Sequence, residues 1–181
     1  MRTFHLIILL QLLFPEIIQI DLKENLIMDY TTLNGEKIVD DAISVVKTIL
    51  PDDKGFLKQI AKAESNYGTA NGTFREGYSG GIWQVDKIGF ESTKDVNSHP
   101  RLQKRFDDIE SQLGIKWYEV SWNQLEHPLY SCLASRLFLL NKPGAIPDTL
   151  EGKAEYWKTH YNSTLGSGTV GYFQDCNSDC T

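Results

Sequence analysis

Five stretches of the chain place apolar side chains at the three-to-four-residue spacing of an α-helix. The first runs from Lys37 to Leu50, with Ile38, Ala42, Val45 and Ile49 in register, and Pro51 ends it. Asp52 or Asp53 can cap the second, from Lys54 to Asn66, whose stripe is Phe56, Leu57, Ile60, Ala61 and Ala63. Three more patterns follow over 101–113, 127–141 and 150–162, with Pro143 and Pro147 punctuating the last gap. Residues 67–81 are rich in Gly, Asn, Thr and Ser and read as a loop or small hairpin, and Gly81 to Val85 is a short apolar segment. Gly166, Gly168 and Gly171 mark an irregular tail. These patterns predict a mainly α domain with one small hairpin or loop.

The chain has 181 residues, enough for one domain with a real core, and its net charge is −6. That balance excludes the basic stripe of a nucleic-acid binder and the cationic character of a peptide that disrupts anionic membranes. The first 20 residues combine Arg2 with an apolar run from Leu6 to Phe14 that Pro15 and Glu16 interrupt. A run this short falls below the roughly 20 residues of a bilayer span and fits a secretory signal peptide, with 21–36 as a leader and 37–181 as the functional domain. Secretion as a monomer without stable membrane insertion is therefore expected. Of the three cysteines, Cys132 lies in an apolar helical stretch and reads as a buried thiol, while Cys176 and Cys180 are close enough for a local disulfide. Pairing of Cys132 with one tail cysteine is the alternative.

Glu64 stands at the end of an apolar helical stripe that contains Leu57 and Ile60. Lost hydration and the negative end of the helix dipole both raise a carboxyl's pKa in such a place. A carboxylic acid that stays protonated near neutral pH is what general-acid cleavage of a glycosidic bond requires. The residues around it extend this reading. The stretch AESNYG, followed by EGYSGGIWQVD and later by HYNSTLG, resembles the active-site core of the lysozyme-like superfamily, most closely the goose-type lysozymes and soluble lytic transglycosylases. The resemblance rests on Glu64-Ser65, on Gly81-Ile82-Trp83-Gln84 and on Tyr161-Asn162 in that order, and covers roughly residues 54–165.

The resemblance implies an α+β lysozyme-like fold with a loop or hairpin beside a sugar-binding cleft. It implies that Glu64 is the general acid, that Ser65 contacts substrate or orients the loop, that Gln84 lines the cleft and that Tyr161 hydrogen-bonds near Glu64, with Asn162 beside it. Asp86 matches a goose-type position that positions water, and Glu76 lies near a second acidic position of that branch, so either could be the second carboxylate. Lytic transglycosylases usually lack the Asp, so Asp86 leans the expectation toward hydrolysis. The loop between Ser65 and Ser79 and the tail after Gly166 have no counterpart in either branch.

Among the aromatics, Tyr67 and Tyr78 have turn residues as neighbours and are the better sugar contacts. Trp83 suits core or cleft equally, and Trp117, Trp122 and Trp157 sit among helix-spaced apolar residues as core. The four histidines are scattered without metal-ligand spacing, so no metal or other cofactor is expected. The expected activity is hydrolysis of the β-1,4 bond between N-acetylmuramic acid and N-acetylglucosamine in peptidoglycan. Anhydro-sugar formation by a lytic transglycosylase and binding without turnover are the alternatives. An acidic lysin is also repelled by anionic bacterial surfaces, so lysis is expected to improve at acidic pH or moderate salt.

Overall fold

The computed structural model describes residues 34–162 and 166–178. The expected signal peptide lies outside them, as does all but the last three residues of the leader. The described chain forms seven α-helices, with two short 3-10 turns at Trp117–Glu119 and Trp122–Glu126, and no strand occurs among the described residues. The fold is therefore mainly α, and the segment after the second helix is a succession of turns rather than a hairpin. No helix among the described residues is long and apolar enough to cross a membrane.

Helix α1 (Glu36–Ile49) buries Val39, Ala42, Ile43, Val46 and Ile49. The buried stripe is turned from the expected one, leaving Ile38 and Val45 half-buried at its margin. Both sets repeat at helical spacing, and the partner helices select the face. Pro51 disfavours a helical conformation at Leu50, which is extended at φ −108° and ψ 153°. The buried Asp53 carboxylate then accepts the Leu57 N–H and starts α2 (Phe56–Ser65).

The helix α3 (Lys87–Ser92) begins at an Asp86 N-cap, whose Oδ1 accepts the Gly89 N–H at 2.5 Å. Helix α4 (Leu102–Leu113) ends at Gly114 in the left-handed region. Helix α5 (Pro128–Leu140) has Pro at its first turn, where the missing N–H costs nothing, and is buried on almost every side. It forms the centre of the core and packs against α1, α2 and α3. Even Arg136 is buried there, its guanidinium donating to the carbonyls of Pro51 and Asp52.

Helices α6 (Leu150–His160) and α7 (Val170–Asn177) pack on each other, and α7 also packs on α2. Phe173 of α7 is fully buried between Phe56 and Trp157, at ring distances of 6.0 and 5.1 Å. The glycine-marked tail therefore contains an ordered helix, capped by the Thr169 side chain. Cys132 on α5 and Cys176 on α7 are both free thiols, so neither takes part in a disulfide, and Cys180 lies outside the described residues.

Candidate active site

The last turn of α2 carries Glu64, and the chain then reverses through three consecutive left-handed residues, Asn66, Tyr67 and Gly68, at φ 47°, 60° and 85°. Ser65 secures this reversal from within. Its hydroxyl donates to Ile82 O at 2.6 Å and accepts the Gly68 N–H at 2.8 Å. Ser65 is buried and does not line the cavity described below, so its role is to tie the end of α2 to the glycine segment.

That segment returns through Gly80 and Gly81. Gly81 has φ +64°, and a Cβ there would stand 1.9 Å from Leu125 O and 2.5 Å from Ser131 Oγ. Only glycine fits this close approach. Ser131 of α5 accepts the Trp83 N–H at 3.2 Å and bonds Gly80 O at 3.1 Å, fixing the segment to the core helix. Trp83 is fully buried and its indole donates to Leu57 O at 2.9 Å, so it belongs to the core.

Between these elements lies a cavity of about 260 Å³, lined by Glu64, Arg75, Tyr78, Gln84, Val85, Asp86, Gly89, Phe138, Tyr161 and Asn162. Six of the residues expected from the sequence meet here: Glu64, Tyr78, Gln84, Asp86, Tyr161 and Asn162. Three do not. Besides Ser65, Tyr67 is buried beneath the reversal and Glu76 is solvent-exposed away from the lining. Asp86 is thus the second carboxylate of the cavity.

Glu64 is half-buried, and Oε1 accepts the Trp157 indole N–H at 2.8 Å. Loss of hydration pushes its pKa up to about 7, against the opposing pull of the Trp157 hydrogen bond, which favours the charged form. Trp157 reads as core from its neighbours, and its ring is core. Its polar edge was not visible in the spacing, because helical periodicity locates a side chain's face but not the direction of its one N–H.

Tyr161 does not bond Glu64. Its hydroxyl donates to Trp83 O at 2.7 Å and lies 3.0 Å from Ser135 Oγ. Burial pushes this phenol far above its ordinary pKa, so it serves as a neutral brace. Gln84, at φ 51°, has its amide fully engaged. It donates to Thr73 O (3.1 Å) and Gly81 O (2.7 Å) and accepts from Arg75 (2.9 Å). Tyr78 donates to Gln84 O at 2.8 Å, its ring meets Trp122 edge-on at 5.3 Å, and the Arg75 guanidinium covers its face at 3.6 Å. Tyr78 therefore holds Arg75 rather than offering that face to a sugar. Asn162 accepts from Lys158 at 3.0 Å.

Non-glycine left-handed residues at Asn66, Tyr67 and Gln84 bracket the site. Such strain collects where side chains must be aimed rather than merely packed. Among the described residues no group of three or more His, Cys, Asp or Glu side chains is placed to hold a metal ion. Comparison of the chain with protein-family models, with curated proteins and with solved structures gives no match.

Proposed function

We propose that this chain is a secreted glycosidase that hydrolyses the β-1,4 bond between N-acetylmuramic acid and N-acetylglucosamine in peptidoglycan. The observation that carries the reading is Glu64, a carboxyl in the wall of a cavity whose pKa of about 7 keeps much of it protonated near neutral pH. In this mechanism Glu64 gives its proton to the glycosidic oxygen as the bond to the anomeric carbon breaks. The oxocarbenium-like centre is then attacked by a water held by Asp86, which receives that water's proton. Asp86 supports hydrolysis over attack by the sugar's own hydroxyl, because it is a second carboxylate lining the same cavity. Its N-cap bond to Gly89 fixes its direction.

The test is the digestion of purified cell wall, with products weighed by mass spectrometry. The expected product carries one added water per cleaved bond, and Glu64→Gln lowers turnover by at least about a hundredfold, the usual scale for a general acid. Undiminished turnover by Glu64→Gln overturns the reading. Anhydro-sugar products replace hydrolysis by transglycosylation, and saturable glycan binding without products identifies a binding protein.

A further inference from the structure

Arg75 has no counterpart among the residues expected from the sequence, yet among the described residues it is the one cation lining the cavity. Three contacts aim it. Nη1 donates to Gly72 O at 3.0 Å and to Gln84 Oε1 at 2.9 Å, and the guanidinium lies 3.6 Å over the Tyr78 ring. All three partners are neutral, so none of these contacts cancels its charge. Tyr78 is itself held by Gln84 O and by Trp122, so the platform under Arg75 is fixed before any ligand arrives. A guanidinium immobilised over an aromatic ring, with three further N–H groups on Nε and Nη2, is suited to receive a planar two-oxygen anion. The acids sharing the cavity do not forbid this. Glu64 is largely neutral below pH 7, and Asp86 has one oxygen turned to the N-terminus of α3.

We propose that Arg75 is the specificity-determining residue of this cavity, binding the free lactyl carboxylate of an N-acetylmuramic acid unit that carries no peptide stem and so selecting stem-free muramyl glycans over uncharged chitin-type glycans. This rests on the glycosidase reading and names the feature of the substrate that the site selects. Neutral N-acetylglucosamine chains have the same backbone linkage but nothing to neutralise Arg75. The lactyl ether of a muramic acid unit without a peptide stem carries the carboxylate that a guanidinium fork takes.

The experiment measures binding separately from turnover. Full-length protein bearing Glu64→Gln is titrated calorimetrically with an alternating N-acetylglucosamine–N-acetylmuramic acid tetrasaccharide having free lactyl carboxylates, and with chitotetraose. The muramyl glycan is expected to bind about tenfold more tightly, and the preference shrinks as salt is raised. Adding Arg75→Gln is expected to remove that tenfold difference, the muramyl glycan losing more affinity than chitotetraose. Equal affinity for the two glycans, or an equal loss for both on Arg75→Gln, overturns the inference while the glycosidase reading stands. If neither glycan binds, both fall. The salt dependence of the Glu64→Gln protein decides the matter even if Arg75→Gln does not fold.

Discussion

Glu64 and Trp157 pull against each other. Burial favours the neutral acid, and the indole N–H favours the carboxylate. Trp157→Phe keeps a ring against Phe173 and removes only the donor, so the Glu64 pKa is expected to rise further. The alkaline limb of the pH–rate profile should then move to higher pH, and an unmoved limb would deny Trp157 a role in setting the acid. The same shift has a stability consequence. The folded pKa of about 7 lies above the unfolded value near 4.5, so Glu64's contribution to stability is fully present below pH 4.5 and lost as pH rises through 7. Glu64→Gln does not titrate. Its stability relative to the parent should therefore improve between pH 4 and pH 8, by on the order of 3 kcal/mol, in paired urea titrations. The protonated carboxyl is thus both the form the fold favours and the form the proposed acid requires, and both are lost together as pH rises through 7.

At the scale of elements, Ser65, Ser131 and Tyr161 secure the glycine segment to the core, and Gly81 is where its backbone approaches most closely. Gly81→Ala places a methyl into Leu125 O and is expected to cost more than about 3 kcal/mol. Gly72→Ala, at φ +83° with nothing within 4 Å, is left with backbone strain alone, about 1 kcal/mol. Denaturant midpoints of the two variants separate close approach from conformation. Helices α1, α2, α4, α5 and α6 were legible within a few residues, because each repeats apolar side chains at helical spacing and is bounded by Pro, Gly or a capping residue. Two helices escaped. The six residues of α3 are too short to show a period, and its only buried members are Gly89 and Phe90. Helix α7 has one large apolar anchor, Phe173, behind glycines that read as irregular, and packing against Phe56 and Trp157 rather than local pattern gives it its place.

For the whole molecule, the net charge of −6 bears on how such an enzyme would meet an anionic cell surface. Lysis of intact bacteria is expected to rise with moderate salt, while cleavage of a small soluble glycan shows no such rise. Parallel salt series on the two substrates check this, and best lysis at neutral pH and very low salt contradicts it. The site was legible where side chains follow from local motif, as with Glu64, Gln84, Asp86 and Tyr161. It was not legible where tertiary folding aims a group from elsewhere, as the Trp157 indole and the Arg75 guanidinium show. The wall that carries Arg75 is built from turns closed over short spans, such as Thr73 N–H to Ala70 O and Tyr78 N–H to Arg75 O, whereas Glu64 stands on a helix locked into the core. Between the anchors at Ser65 and Gly81, nearly all of residues 69–77 face solvent. Loops of this kind accept insertions and substitutions that a packed helix does not. On the proposed reading, the acid and the residue that selects its substrate sit on separately variable pieces of the chain, and nine loop residues could be rewritten to change what is selected without disturbing Glu64.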